Sequence, residues 1–130
     1  MKEFYKYFSG LQRDFGFCKV ENGYIDPESG KLKFDPGDYG WSKRPITEQD
    51  YEDHLTGKKA IGIQPCDDDA MASMGAIDVD PKNYKNFNLG TYLKIIEEKN
   101  LPVLPIESKS GGLHIYVFTK DKVPATLIRE

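Results

Sequence analysis

Cysteine is scarce in this sequence. Cys18 and Cys66 stand far apart and form no Cys-x-x-Cys pair. A structural zinc site is therefore not expected, and two lone thiols suit a reducing cytosol. Long hydrophobic runs are lacking as well. No apolar stretch approaches the roughly 20 residues that cross a bilayer, and the opening Met1-Lys2-Glu3-Phe4-Tyr5 is no signal peptide. The expectation is a cytoplasmic protein without a membrane partner. Internal repeats and low-complexity segments are missing too, which argues against a solenoid or a disordered tail. A basic excess is also lacking: the net charge is −3, which does not advertise a nucleic-acid binder.

What is there makes an ordinary soluble globular composition. The 130 residues suffice for one domain with a core of its own and no staples. The charge is unevenly spread. Residues 1–80 carry 10 Lys and Arg against 16 Asp and Glu, a balance of −6, whereas residues 81–130 carry 8 against 5, a balance of +3.

Along the chain, Phe4, Phe8 and Leu11 stand at helical spacing and predict a short opening helix over residues 2–11. Residues 14–40 are rich in turn signals (Asn22-Gly23, Asp26-Pro27, Ser29-Gly30, Asp35-Pro36-Gly37) and predict small hairpin strands at Phe17–Val20 and Lys31–Phe34. After Trp41 a helix begins at a capping box of Thr47 and Asp50, with Ile46 stapled onto Tyr51, and closes at Gly57. His54 on that helix reads as a surface or partly packed residue. Ala60–Ile63 is a short strand. Asp67-Asp68-Asp69 reads as a solvated turn, because three consecutive residues of an extended backbone cannot converge on one ion.

The segment Gly75-Ala76-Ile77-Asp78-Val79-Asp80 organises the second half. Its period of two makes a strand with Asp78 and Asp80 on one face and Ile77 and Val79 on the other. Strands select against Asp, and two like charges so close call for a cation, with a hard divalent metal as the usual one. The plain alternative is an edge strand with a solvated acidic face. A helix over Asn88–Lys99 follows, with a stripe of Leu89, Tyr92, Leu93 and Ile96. Next come a strand at Val103–Glu107, a turn at Ser108–Gly112, a strand at Leu113–Thr119 and a final helix from Pro124.

Strand, helix, strand, strand, helix is the ferredoxin-like split β-α-β order without its last strand. The expected fold is therefore α+β: an N-terminal helix and hairpin module (residues 1–59), then an incomplete RRM-like βαββα half (residues 60–130). In that topology the hairpin strand fills the gap beside the acidic strand. Ile77, Val79, Ile115 and Val117 then face the helices, and Asp78, Asp80, His114, Tyr116 and Phe118 gather on the open face. The turn Ser108-Lys109-Ser110-Gly111-Gly112 sits directly before His114. Its glycines permit close approach, Ser110 and backbone amides can donate to phosphate oxygens, and Lys109 brings a charge.

Asp78-Val79-Asp80 followed by Ser110-Gly111-Gly112-Leu113-His114 resembles the Asp-x-Asp/Glu and Ser-x-His motifs of the archaeo-eukaryotic primase superfamily. The upstream run from Trp41 through Pro45-Ile46-Thr47, His54-Leu55 and Gly57 to Ile61-Gly62-Ile63 is similar to the lead-in of bacterial and phage primase-polymerases, the primases of TOTE conflict systems among them. The same motifs also resemble the polymerase domain of bacterial end-joining ligases.

The resemblance, over about residues 41–124, implies a DNA primase-polymerase module, a nucleotidyltransferase whose divalent ions, Mg²⁺ or Mn²⁺, sit on Asp78 and Asp80. It implies catalytic roles for Asp78, Asp80 and His114. Lys109, Ser110, Gly111, Gly112 and His114 become the nucleotide contacts. The implied partners are nucleoside triphosphates and a DNA template and primer. A helicase or further domains downstream, and oligomers through an open sheet edge, fit the same picture. The family's third motif supplies another acid further along, so the expectation is a piece of a longer protein that does not extend a primer by itself. The alternative is a non-catalytic RRM-like domain that binds nucleic acid or nucleotide, with Tyr116 and Phe118 stacking on bases.

Overall fold

In the computed structural model the described residues are 3–109 and 111–129. The chain is a mixed α+β protein whose two compact units divide between Met71 and Ala72.

In the first unit the opening helix α1 is short, Phe4–Tyr7, and stops because Phe8 leaves helical geometry before Ser9-Gly10. Expected over residues 2–11, it keeps only its first turn; residue 2 lies outside the described residues. Phe4 still stacks on Phe8, with ring centroids 4.5 Å apart. The small strands are β1 (Gly16–Cys18), β2 (Tyr24–Ile25), β3 (Leu32–Lys33) and β4 (Tyr39–Trp41). β3 falls within the strand expected at Lys31–Phe34, but its hairpin partner is β2, not the strand expected at Phe17–Val20. β1 instead pairs antiparallel with β4 and with β5 (Ala60–Gly62), giving a sheet of order β4-β1-β5. Residues 60–62 thus belong with the first unit, not with the half expected to begin at residue 60.

Helix α2 (Glu48–Leu55) starts at the expected capping box. Asp50 N donates to Thr47 Oγ1, and Thr47 N donates to Asp50 Oδ2 at 2.9 Å. Gly57 follows at φ 77°, the left-handed position that glycine adopts without strain. His54 is half-buried, its Nδ1 lying 3.2 Å from the Lys59 carbonyl oxygen. The core of this unit is Leu11, Phe15, Cys18 and Tyr51. The aspartate run is the turn expected: Asp67 Oδ1 accepts from Asp69 N and Met71 N, while Asp68 pairs with Arg13.

The second unit holds β6 (Met71–Val79, which begins at the division), α3 (Leu89–Glu98), β7 (Val103–Glu107), β8 (Leu113–Pro124) and α4 (Ala125–Arg129). The strand order is β6-β8-β7, with the hairpin strand in the middle. β7 runs antiparallel to β8, with Ile106 opposite His114 and Leu104 opposite Tyr116. Pro105 sits in β7 at the sheet's edge, the place where a residue without an N–H is tolerated.

Helix α3 begins where Asn88 accepts from Thr91 N at 2.9 Å, and it half-buries Leu89, Tyr92 and Ile96. Leu93, expected in the same stripe, is exposed. The buried hydrophobic side chains of this unit are Ala72, Met74, Val79 and Leu113. Ile77 corrects the expectation that it faces a helix: it is 62% exposed. β6 is an outer strand, and α4 reaches it at Gly75, where the Ile128 side chain fills the space a Cβ would need.

Candidate active site

The acidic strand positions its two carboxylates differently. Asp78 is near the end of β6, and its side chain is 71% exposed. Asp80 lies just past β6 with its backbone still extended, and it caps the 3-10 turn Pro81–Asn83 by accepting from Lys82 N at 3.1 Å. That turn folds the Lys82 ammonium back onto Asp80 Oδ2 at 2.7 Å. The hydrogen bond and charge of Asp80, with Asp78 adding, hold the Lys82 ammonium above its ordinary pKa. A cation near the pair was not expected from the sequence, so this is a correction: one of the two carboxylates already has a basic partner. The signal was present, since Lys82 stands two residues beyond Asp80 and Pro81 favours the tight turn between them.

β8 brings the other half. His114 Nε2 lies 3.6 Å from Asp78 Oδ1, close but beyond hydrogen-bond length. His114, Tyr116 and Phe118 share one face as expected. The first two rings meet edge to face at 6.3 Å, and the second two stack at 6.4 Å. All three are half-buried.

The turn before His114 closes on itself. Gly111 N donates to the Ser108 carbonyl at 2.9 Å, and Gly112 N donates to Ser108 Oγ at 3.1 Å. Both amides thus have partners within the turn. Lys109 is exposed, and Ser110 lies outside the described residues.

Gly112 explains how the turn and the acidic strand come together. A Cβ there would stand 2.5 Å from the Val79 carbonyl oxygen and 2.8 Å from Pro81 Cδ, neither of which can swing aside. Gly112→Ala is therefore expected to cost about 1–3 kcal/mol through overpacking. A urea midpoint lowered to match that loss, with the slope unchanged, checks it. An unchanged midpoint for Gly112→Ala would show that the approach is loose.

Among the described residues no three His, Cys, Asp or Glu side chains form a group that could hold a metal ion. No helix among them is long and apolar enough to cross a membrane. What the geometry offers is an exposed carboxylate beside an imidazole, a second carboxylate beside an ammonium, and a lysine-bearing turn packed against the same strand end.

The model of the archaeo-eukaryotic primase domain of TOTE conflict systems matches residues 28–130. No curated protein matches the chain significantly. The family match spans both motifs and the whole lead-in run, and it carries a primase-like nucleotidyl-transfer function, with nucleotides and DNA as the substrates in general. On that match, the chain belongs to the archaeo-eukaryotic primase domain family of TOTE conflict systems.

Proposed function

We propose that this chain is the metal-dependent, template-directed form of that chemistry, with its site at Asp78, Asp80 and His114. The observation that carries the reading is the approach of Asp78 Oδ1 to His114 Nε2 at 3.6 Å, with Asp80 two residues on and the 108–112 turn against the same strand end. The order β6-β8-β7 supports an RRM-like split β-α-β arrangement as the frame for this site.

The donor set fits a hard divalent ion that arrives with its substrate. Mg²⁺ and its relatives keep several waters and take one or two carboxylates together with substrate phosphates, so a third protein acid is not required for binding. Mg²⁺ or Mn²⁺ on Asp78 and Asp80 would neutralise the triphosphate and activate the attacking 3′-hydroxyl. The chain's own residues do the rest. Asp80 must leave Lys82 or share it. Lys82, once released, stands within reach of the same anionic substrate. His114 holds a phosphate oxygen from the neighbouring strand, and Lys109 adds a charge at the turn.

The test is nucleotide binding in the presence of Mn²⁺. His114→Ala should weaken deoxynucleoside triphosphate affinity by about 10- to 100-fold, the worth of a hydrogen bond to a charged group. It should leave the thermal transition of the free chain in place. Equal affinities for parent and variant would remove His114 from the site. Template-directed incorporation that is lost in Asp78→Asn would establish the reaction itself.

A further inference from the structure

The first unit carries a groove that the catalytic reading does not use. In the antiparallel β4-β1-β5 sheet, Trp41, Gly16 and Gly62 lie in one row and Tyr39, Cys18 and Ala60 in the next. Directly opposed residues and residues two apart share a face. One face of the sheet therefore has a wall of two aromatics on the edge strand and a floor of four small residues. Tyr39 is 57% and Trp41 56% exposed. Phe34 braces the Tyr39 ring edge to face at 6.3 Å. The space over this floor measures about 440 Å³, within the range of small-ligand sites.

The floor is bare by composition and not by crowding. A Cβ on Gly16 or Gly62 would meet its nearest neighbour at 3.5 Å or 3.8 Å, ordinary contact distances, and neither glycine has positive φ. Side chains could stand there without strain, and they would fill the groove.

Its charged surroundings identify the occupant. Lys58 precedes β5 at one end and Lys43 follows β4 at the other; both are exposed. Among the described residues neither is in a salt bridge, whereas Asp14 is paired with Arg13 and Asp38 is buried. An aromatic wall flanked by lysines suits a planar base joined to phosphates.

We propose that this face is a stacking site for an unpaired base of single-stranded DNA, held between the Tyr39–Trp41 wall and the glycine floor. The assignment of the strand as DNA rests on the template-directed reading above; the stacking geometry does not.

Trp41 is the sole tryptophan and reports on the groove directly. A short oligodeoxythymidylate titrated into the full chain should quench its emission saturably, and less so as salt is raised. Gly62→Val should leave the melting temperature within a degree or two and weaken binding about tenfold or more. Tyr39→Ala, a change at an exposed wall residue, should weaken it similarly and carries the test if Gly62→Val is unstable. Asp78→Asn with Asp80→Asn should keep the quench, so loss of the catalytic reading and loss of the groove are told apart. Three results would overturn the proposal. One is an absence of quenching at saturation. Another is unchanged affinity in Tyr39→Ala. The last is a self-association abolished by Gly62→Val without any oligonucleotide effect, which would assign the face to a second copy of the chain.

Discussion

Asp78→Asn combined with Asp80→Asn is expected to abolish the rise in melting temperature that Mn²⁺ produces in the parent chain. A ligand that binds only the folded state stabilises it by about 2.7 kcal/mol at a hundredfold excess over its Kd. In a chain of this size that is a shift of several degrees. The parent should therefore climb with Mn²⁺ concentration and the double variant should stay flat. Without metal the two should melt within a few degrees of each other. Asp78 is largely exposed, and the Lys82–Asp80 pair it would lose is a surface ion pair worth little. Lys82→Gln refines the expectation in the opposite direction: with its internal cation gone, Asp80 should take Mn²⁺ a few-fold more tightly. A double variant that still responds to Mn²⁺ as the parent does would remove the metal from this site.

The second large effect is on folding and lies in the first unit. Asp50 is only 2% exposed and receives Arg44 through two hydrogen bonds of 2.8 and 2.7 Å, Lys59 at 2.8 Å, and the Thr47 backbone and hydroxyl. Arg44 also lies over the Phe15 ring, 5.0 Å from its centroid. One carboxylate thus ties the start of α2 to the residues on either side of it. Asp50→Ala should cost about 3 kcal/mol, the low end for breaking a buried pair, because Arg44 and Lys59 stay partly exposed and can be hydrated. The urea midpoint should fall with the slope unchanged; a loss below about 1 kcal/mol would show the cluster to be ornamental.

The same site sets an acid limit. Arg44 first, then Lys59 and Thr47, hold the Asp50 carboxyl far below the usual carboxylate range against the opposing effect of burial. Asp26 is lowered to about 2, by Lys33 and Ser29 foremost. An unfolded aspartate titrates near 3.9. Both groups are therefore depressed on folding, so their stabilisation is complete above about pH 4 and is lost as pH falls through the folded values. Thermal melts from neutral pH down to about pH 2 should show that loss, and Asp50→Ala should show less of it.

The local chemistry was the most legible. The box of Thr47 with Asp50, the glycine at 57 and the turn before His114 each follow from residues within four positions of one another, and that is what a sequence displays. The middle position of β8 was legible too, because a tight hairpin leaves few places for its second strand. Distant pairings were not. β4 was missed because its partner β1 lies more than twenty residues away, and nothing periodic in Tyr39-Gly40-Trp41 announces that pairing. Asp50 shows in the sequence as a cap alone because Arg44 and Lys59 reach it from outside α2. Lys82 does not show there as a partner because strand alternation says nothing about a residue that the following turn folds back. Ile77 shows the remaining weakness: alternation assigns a face, but whether a helix covers that face is decided by packing elsewhere.

β6 and β7 are the two outer strands of the second sheet, and they are not equivalent. Pro105 leaves β7 short of a backbone donor, which makes it a poor template for another strand. β6 has no such interruption: its last stretch, Ala76-Ile77-Asp78, is exposed and includes a large aliphatic side chain. There the negative charge of Asp78 guards against edge-to-edge aggregation, in the way that charged gatekeepers protect natural edge strands. The acidic pair thus gains a colloidal role beside the chemical one proposed for it. Neutralising it for experiment also removes the charge that keeps one sheet from extending into the next, so the metal-blind variant is the one to handle dilute.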